Sequence, residues 1–338
     1  MPKKGVIMKT ALITGISGQD GSYLSELLLS KEYKVFGLVR NFDNLSRLND
    51  ISYISGDITD SKSMVDALKQ SNPDEIYNLA AQSFVAGSWN APQLVTQVNA
   101  IGVINLLEAI RKVKPDTRFY QASSSEMFGQ VQEIPQRETT PFNPRTPYGI
   151  AKLHAHLMVR TYRECYGIFA CSGILYNHES ERRGIEYVTR KITSTVAAIL
   201  DSTQDHLELG NLSATRDWGH AEDYVNAMYL MLQHHTPDDY VIATGKAVSV
   251  RDFATKAFAA AGMSLRFEGE GINEVGIEIA TNKIRIKVNP KFFRPLEVDL
   301  LLGDSSKAKN VLNWKHNVTF DMLVERMLKN DILQREIG

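Results

Sequence analysis

Residues 10–24 read TALITGISGQDGSYL, a short apolar run followed by three evenly spaced glycines and the start of an apolar helical stripe. The run before the first glycine predicts a buried strand, and the periodicity after the last one predicts a helix. Gly15 permits the tight turn between them, Gly18 lets the backbone approach a pyrophosphate, and Gly21 permits close packing of helix against strand. Because a helix start offers free N–H groups and a positive dipole end, the stretch predicts a dinucleotide-binding site.

Strand and helix patterns keep alternating along the chain. We predict strands at 34–39, 51–55, 75–79, 118–121, 168–175 and 240–243, helices at 61–70, 93–112, 147–166 and 222–233, and a hairpin at 273–288. This alternation predicts an α/β fold with a doubly wound, parallel Rossmann sheet, whose ligands bind at the carboxyl ends of the strands. The cofactor-binding domain is predicted at 1–177 with about 218–245. A smaller, interleaved C-terminal α/β substrate domain is predicted at about 178–217 with 246–338.

Composition excludes several classes of protein. The formal net charge is −1 and the basic residues are dispersed, so neither a nucleic-acid surface nor a polybasic membrane surface is indicated. No signal-peptide pattern and no apolar run long enough to span a bilayer is found, which predicts a cytoplasmic protein. Cys165 and Cys171 lie in or beside apolar segments and are predicted to be buried free thiols in a reducing compartment.

Tyr148 and Lys152 are the first candidate catalytic pair. Pro147 is typical of the first position of a helix, and a spacing of four residues then places both side chains on one helix face. A phenol has a pKa near 10, but a neighbouring ammonium favours its ionised form. Bringing the phenol's pKa close to neutrality takes about 4 kcal/mol of differential stabilisation, which a water-poor cleft supplies. The alternative is a chance pair on a solvated helix surface.

Ser124 and Glu126 add a hydroxyl and a carboxyl directly after the predicted strand at 118–121. Together with Tyr148 and Lys152 they give four proton-handling groups near one edge of the sheet. The alternative for SSSE is a helix cap, because Ser followed by Glu is a capping pattern.

Arg40 bears on the choice of cofactor because it follows the second predicted strand. An acidic residue there favours NAD, and an arginine favours the 2′-phosphate of NADP. The position therefore predicts NADP, with a solvated loop charge as the alternative. Asp57, after the third strand, is placed beside the adenine.

The second half contains cationic and histidine-bearing segments. His178 and Arg183 follow the strand at 168–175 and suit a cofactor phosphate; His178 lacks the second histidine that a metal site requires. Lys191 begins a helix that can face a nucleotide, with a solvated helix face as the alternative. Arg216 is a candidate diphosphate clamp, since a guanidinium binds two oxygens at once, although Asp217 offers it a structural partner.

Several longer stretches carry a family resemblance: ALITGISGQDGSYL, PDEIYNLAAQSFV, QASSSEMFG, TPYGIAKLHAH, NHESERRGIEYVTRKI, LGNLSATRDWGHAEDYV and FFRPLEVDLLLGDSSKAK. On these stretches the chain resembles the extended short-chain dehydrogenase/reductase superfamily and, more closely, its GDP-mannose 4,6-dehydratases. The resemblance covers nearly the whole chain.

The resemblance implies roles for particular residues. It implies catalysis by Ser124, Glu126, Tyr148 and Lys152. It implies NADP binding, which involves Tyr148 and Lys152 together with Gly15, Ile16, Ser17, Gly18, Gln19, Asp20, Gly21, Arg40, Asp57, Ile58, Leu79, Ala80, Ala81, Gln82, Ser83, His178 and Arg183. It implies that the nucleotide sugar contacts Ser83, Ser124, Ser125, Glu126, Asn177, Val188, Lys191, Gly210, Asn211, Arg216, Arg294 and Glu297. No metal is implied. An ordinary surface ion pair is the alternative for Arg294 and Glu297.

Three departures from the family pattern stand out. Ser124 replaces the usual threonine and keeps the hydroxyl, and Phe128 replaces a tyrosine, so that a second phenol is absent from the sequence there. The loop after the second strand, RNFDN, is shorter than usual and lacks paired arginines, which weakens the case for NADP and for a role of this loop between subunits.

The resemblance implies conversion of GDP-mannose to GDP-4-keto-6-deoxymannose through an internal NADP redox cycle. The same reaction on GDP-manno-heptose is an alternative, as is a GDP-4-ketosugar reductase or epimerase, in which no carboxyl removes the C5 proton. A third alternative is a non-catalytic, cofactor-sensing protein. The predicted partner is a small GDP-sugar, and the helices at 93–112 and 147–166 are expected to form a homodimer or homotetramer.

Overall fold

The computed structural model describes residues 8–42, 45, 50–292 and 300–337. The chain forms two compact units. The first comprises Met1–Leu175, Ala221–Ile242 and Asp304–Lys315, and the second comprises Tyr176–His220, Ala243–Gly303 and His316–Gly338.

The strands of the described residues are β1 Thr10–Thr14, β2 Lys34–Val39, β3 Ser52–Ser55, β4 Glu75–Asn78, β5 Arg118–Ser124, β6 Ala170–Leu175, β7 Asn177–Glu179, β8 Leu207–Leu209, β9 Thr215–His220, β10 Asp239–Ile242, β11 Ala247–Ser249, β12 Leu265–Glu268, β13 Val275–Glu278 and β14 Ile284–Val288. The α-helices are α1 Gln19–Ser30, α2 Ser61–Ser71, α3 Pro92–Thr96, α4 Gly102–Val113, α5 Pro147–Tyr166, α6 Val188–Leu200, α7 Ala221–Gln233, α8 Val250–Ala260, α9 Ser306–Leu312 and α10 Phe320–Ile337.

The first unit is built on a seven-stranded parallel sheet in the order β3-β2-β1-β4-β5-β6-β10. The chain therefore winds outward in one direction from β1 to β3 and in the other direction from β4 onward. Helices α1 and α7 pack on one face, and α2, α4 and α5 pack on the other. The predicted doubly wound parallel sheet is confirmed. Ligands of such sheets bind beyond the carboxyl ends of the strands, where the winding reverses between β1 and β4.

The helix predicted at 93–112 is interrupted in the structure. Helix α3 ends at Thr96, a π-helical turn covers Gln97–Ile101, and α4 begins at Gly102. Together the helical segment Pro92–Val113 is long and apolar enough to cross a membrane by composition alone, but 56% of its most apolar window is buried inside the protein, as in the core helix of a globular unit.

The second unit contains a three-stranded sheet, β11-β9-β7, and a four-stranded sheet, β12-β13-β14-β8. Strands β13 and β14 form the antiparallel hairpin predicted at 273–288. Helices α6, α8 and α10 pack together over a core that includes Trp218, Phe253 and Met327.

The observed division of the chain differs from the predicted one mainly in residues 304–315, and the other boundaries lie within three residues of the predicted ones. Residues 304–315 were expected in the second unit, with the rest of 246–338, but they pack in the first. The Trp314 indole N–H donates to the Asp223 carbonyl at 2.8 Å, and the Lys307 ammonium lies 2.6 Å from the Asp238 carboxylate. These contacts attach α9 to α7 and β10, and no local sequence pattern predicts them.

The prediction for the cysteines is half right. Both thiols are free, and Cys171 is buried in β6, where burial raises the pKa of its thiol to about 12. Cys165 is exposed, because it lies near the end of α5 on the face that turns away from the sheet.

Candidate active site

Tyr148 and Lys152 lie in the first turns of α5. Pro147 occupies the first helical position, and the Thr146 hydroxyl caps the helix by accepting from the Gly149 N–H at 3.0 Å. The Lys152 ammonium lies 5.7 Å from the centre of the Tyr148 ring. The two side chains are only 8% and 4% exposed, so the pair is buried and is not the chance surface pair that the sequence left open.

The Lys152 ammonium is held by a neutral group. It donates to the Ala122 carbonyl at 2.8 Å, at the end of β5. Burial lowers the pKa of Lys152 from 10.5 to about 8, and the charge of Asp20 opposes that shift. The ammonium is therefore still mostly charged at neutral pH and can favour a phenolate at Tyr148.

Glu126 lies in a short 3₁₀ turn, Ser125–Met127, that directly follows β5. The Ser124 hydroxyl caps this turn by accepting from the Glu126 N–H at 3.2 Å, so the capping role considered for SSSE is realised. The turn packs closely on α5: a Cβ on Gly149 would lie 2.6 Å from the Glu126 carbonyl oxygen. The residue after Tyr148 is thus pressed against Glu126, and the four predicted catalytic residues share one end of β5 and α5.

The glycine loop after β1 has the geometry of a phosphate site. Gly15 has a φ of +70°, and a Cβ there would lie 2.7 Å from the Ala80 nitrogen. Gly18 is the N-cap of α1, so the positive dipole end of that helix lies directly after the glycine loop, where it favours an anionic ligand. A Cβ on Gly21 would collide with Gly15 and Ile16 of the loop, so its close contact is with the loop and not with the strand as predicted. These residues fit a dinucleotide pyrophosphate.

Buried polar residues beside this loop were not anticipated. The Thr14 hydroxyl accepts from the N–H groups of Leu79 and Ala80, at 3.2 and 3.1 Å, and donates to the Asn78 side chain at 2.6 Å. Asn78 in turn donates to Gln121 at 2.7 Å. Thr14 and Asn78 are polar residues at the carboxyl ends of β1 and β4, and that position was the available signal for them; Gln121 lies within β5, opposite Asn78.

Asn99 is a second residue that was missed. Its side chain accepts from the Gln82 N–H at 2.8 Å and donates to the Gln82 carbonyl at 3.0 Å. Asn99 lies in the π-helical turn and is 1% exposed. The turn therefore aims an amide at the predicted cofactor segment 79–83 and fixes its backbone.

Arg40 is exposed at the end of β2, where the prediction placed a contact to NADP. Part of the loop that follows it lies outside the described residues. The Asp57 carboxylate accepts from the N–H and hydroxyl of Thr59, each at 2.8 Å, and so shapes a turn after β3. Ile58 is buried behind that turn.

Predicted ligand residues of the second unit flank β7 and the start of α6. The His178 imidazole donates from Nδ1 to the Tyr176 carbonyl at 2.8 Å. The Arg183 guanidinium lies 3.1 Å from the Glu179 carboxylate and stacks 3.6 Å from the centre of the Tyr187 ring. Val188 is the first residue of α6, and Asn177 is the first of β7.

The remaining predicted ligand residues differ in the contacts that they make within the protein. The Lys191 ammonium lies 3.4 Å from the centre of the Phe292 ring, and burial lowers its pKa. Arg216 is buried and donates to the Thr215 carbonyl at 2.8 Å, and the Asp217 carboxylate accepts from Thr244 and from the Gly245 N–H. Gly210 and Asn211 follow β8, and Arg294 and Glu297 lie outside the described residues.

Arg190, next to Lys191, binds other residues of the protein. Its guanidinium binds the Asp331 carboxylate of α10 at 2.7 Å and the carbonyls of Glu181 and Arg183 at 2.8 and 2.9 Å. It therefore braces the loop before α6.

A buried Tyr–Lys pair at the edge of a doubly wound sheet, beside a glycine loop, is the arrangement of an extended short-chain dehydrogenase/reductase. Residues 12–327 match the family model described as GDP-mannose 4,6 dehydratase. The chain is 50% identical to "GDP-mannose 4,6 dehydratase 2" of Caenorhabditis elegans, over 97% of this chain and 90% of that protein. It is 49% identical to the Homo sapiens GDP-mannose 4,6 dehydratase, over 95% and 91%.

Solved structures share the fold at low identity. RMD from Pseudomonas aeruginosa, complexed with NADPH, matches 96% of this chain and 100% of its own, with a TM-score of 0.79 and 21% identity. The dTDP-glucose 4,6-dehydratase of Bacillus anthracis, in complex with NAD, matches 97% and 98%, with a TM-score of 0.78 and 19% identity. The sequence matches decide the assignment: the chain belongs to the GDP-mannose 4,6-dehydratase family.

Proposed function

We propose that the protein removes water from GDP-mannose to give GDP-4-keto-6-deoxymannose, with a nicotinamide cofactor that ends unchanged. The chain is about 50% identical to GDP-mannose 4,6 dehydratases over nearly its full length, and this similarity supports GDP-mannose as the substrate. The observation that carries the chemistry is the contact of the Glu126 turn with the first turn of α5, next to Tyr148.

The cofactor is proposed to be NADP. Gly15, Gly18 and the start of α1 would hold its pyrophosphate, and Arg40 would face its 2′-phosphate. When bound, the nicotinamide supplies the redox chemistry, accepting a hydride from C4 of the sugar and returning it at C6. The positive charge of the oxidised ring adds to that of Lys152 in favouring a Tyr148 phenolate.

The side chains would then divide the proton transfers between them. Tyr148, as phenolate, takes the proton of the C4 hydroxyl while C4 is oxidised. The new ketone acidifies the C5 proton, which Glu126 removes. Protonation of the C6 hydroxyl by Glu126 or Ser124 lets it leave as water. After C6 has been reduced, a proton returns to C5, so the net change is the loss of one water.

Glu126 distinguishes this reaction from the alternatives on the same fold, because reduction or epimerisation needs no carboxyl at C5. We expect Glu126→Gln to retain the cofactor and to lower the rate of water loss by about 100-fold or more. Glu133→Gln is the matched control, since Glu133 lies in the loop after the turn and has no proposed role. Near wild-type water loss in Glu126→Gln would contradict the assignment.

The test of function is an anaerobic incubation of the purified protein with GDP-mannose and, separately, with GDP-manno-heptose, without added cofactor. Mass spectrometry would follow the loss of one water, and absorbance would follow reduced cofactor. Water loss without net reduced cofactor supports the proposal, and the faster substrate identifies the sugar. A folded, cofactor-bearing protein that turns over neither sugar would favour the reductase or epimerase reading.

A further inference from the structure

A directed chain of hydrogen bonds crosses three neighbouring strands at the site. The Thr14 hydroxyl of β1 donates to Asn78 of β4, and Asn78 donates to the Gln121 side-chain oxygen of β5. The Gln121 amide then donates to the Ala122 carbonyl at 3.1 Å. Thr14, Asn78 and Gln121 are each 1% exposed or less.

The donor-to-acceptor direction of this series of hydrogen bonds is fixed at both ends. Backbone N–H groups can only donate, so the Thr14 hydroxyl, which accepts from Leu79 and Ala80, has its own hydrogen left for Asn78. A carbonyl can only accept, so the amide of Gln121 must turn its NH₂ toward Ala122. The orientations of both side-chain amides follow from these two constraints.

The series of hydrogen bonds ends at the Ala122 carbonyl, which also binds the Lys152 ammonium. Pairing of β4 with β5 stops at Asn78 and Gln121, so Ala122 lies one residue beyond the last backbone pair of these strands. Its carbonyl accepts from Gln121 and, at 2.8 Å, from the Lys152 ammonium. Within the described part of the chain, this oxygen is the only hydrogen-bond acceptor of the ammonium.

We propose that Gln121 is a positioning residue for the Tyr148–Lys152 pair, because it connects the Thr14–Asn78 chain to the carbonyl that locates the Lys152 ammonium. Every link of the chain is neutral. A carboxylate partner would hold Lys152 equally well but would cancel the positive charge that stabilises a Tyr148 phenolate. The inference rests on the proposed function, in which that phenolate is the base.

The same chain joins the pair to the cofactor segment. Thr14 fixes the turn at Leu79 and Ala80, against which Gly15 packs. The charge of Asp20 acts on Lys152, and α5 itself carries Tyr148 and His156 near it. The elements packed against α5 carry Glu108, Arg111 and Lys112 on α4, Arg118 and Tyr120 on β5, Glu126 on the 3₁₀ turn and Cys171 on β6. In the described chain, Asp20 is the one carboxylate whose charge acts on Lys152, and it forms no ion pair with it.

The first test replaces Gln121 by Glu, which puts a carboxyl within about 6 Å of the ammonium, the range over which opposite charges interact strongly. Ionisation of Tyr148 would be read from phenolate absorbance, as the difference between each protein and its own Tyr148→Phe counterpart. We expect Gln121→Glu to raise the pH of that ionisation by about one unit or more, and to lower kcat/KM at neutral pH about tenfold. An unchanged Tyr148 titration in the folded variant would overturn the proposal.

The second test uses Gln121→Met, which keeps the length of the side chain and removes both polar links. We expect kcat to fall about tenfold with little change in KM for GDP-mannose, since the pair loses its alignment. Gln136→Met is the matched control: Gln136 is also a buried glutamine that donates to a carbonyl, that of Glu133, and it should leave kcat and the Tyr148 titration unchanged. Wild-type kcat in Gln121→Met would also overturn the proposal.

The two readouts separate this inference from the proposed function. The Tyr148 titration requires no turnover. If wild-type protein failed to act on GDP-mannose while Gln121→Glu still shifted the titration, the proposed activity would fail and the positioning role would stand.

Discussion

Lys152 is placed for chemistry at the expense of stability. Its folded-state pKa of about 8 lies below the ordinary value of 10.5, so the unfolded chain binds more protons between these pH values. Stability therefore rises with pH across this window, and the buried ammonium destabilises the fold fully at pH below about 8. Catalytic sites commonly carry such a cost.

We expect Lys152→Met to be inactive but more stable than the wild type at pH 7, by about 1–3 kcal/mol. The gain is reduced by the lost bond to the Ala122 carbonyl and should shrink as the pH rises from about 8 toward 10. Urea unfolding of the cofactor-free proteins across this range measures it. Lys69→Met, at an exposed position of α2, is the control and should show no pH-dependent gain. A Lys152→Met variant with lower stability than the wild type throughout would contradict this account.

Single residues were predictable where their chemistry is visible without partners. We could recognise two features from the sequence alone: the spacing of Tyr148 and Lys152, and the glycines of the loop. Gln121 and Asn78 could not be recognised, because their role depends on which strands become neighbours, and 43 residues separate them. Nor could Arg190, whose guanidinium binds Asp331, 141 residues away in the sequence.

At the level of elements, the junction of α5 with the turn after β5 determines the spacing of the site. Gly149 allows the approach, since a side chain there would meet the Glu126 carbonyl. Neither element alone indicates this contact. The helix was predicted at its observed bounds and the strand three residues short of its observed end at Ser124, but the sequence contains no measure of the distance between them.

We expect Gly149→Ala to lower kcat about tenfold and to destabilise the protein by about 1–3 kcal/mol, because the new methyl group forces α5 away from the turn. Without that clash, the substitution would stabilise a helix by about 1 kcal/mol, so the sign of the change is informative. Thermal unfolding and GDP-mannose turnover measure the two effects. His154→Ala, exposed on the same helix, should change neither. A more stable and fully active Gly149→Ala protein would show that the contact has no such role.

The π-helical turn is the element that sequence periodicity could not reveal. The apolar pattern at 93–112 fits one continuous α-helix. The π-helical turn contains Asn99, whose hydrogen bond to Gln82 cannot be read from local periodicity. A tertiary contact here overrides the local preference, as π-helical turns often do at functional sites.

At the scale of the whole molecule, each unit carries a separate share of the predicted residues. The glycine loop, Tyr148, Lys152 and Glu126 belong to the first unit, while His178, Arg183, Lys191 and Arg216 belong to the second. The doubly wound parallel sheet followed from the alternating pattern. The return of 304–315 to the first unit did not, because it depends on contacts of Trp314 and Lys307 that lie far away in sequence.

An exposed apolar face on the first unit supports the expected self-association. Leu94 and Ile101 are each 44% exposed on α3 and the π-helical turn, and Ile150 and Leu157 are 58% and 37% exposed on α5, which packs beside α3. We predict that the protein is at least a dimer at micromolar concentration and that Ile150→Glu with Leu157→Glu yields monomers.

Light scattering after gel filtration would measure the mass of each protein. Ile272→Glu, which charges an exposed apolar residue of the second unit, is the control and should keep the wild-type mass. A monomeric wild type, or a double variant of unchanged mass, would exclude this face as the interface.

The central claim is that one site oxidises, dehydrates and reduces the same sugar. The most direct measurement uses GDP-mannose with deuterium at C4, incubated with the purified protein in ordinary water. The account predicts a product lighter by one water that carries the deuterium at C6, with no deuterium lost to solvent or to added cofactor. Deuterium that remains at C4, or that accumulates in free reduced cofactor, would contradict it.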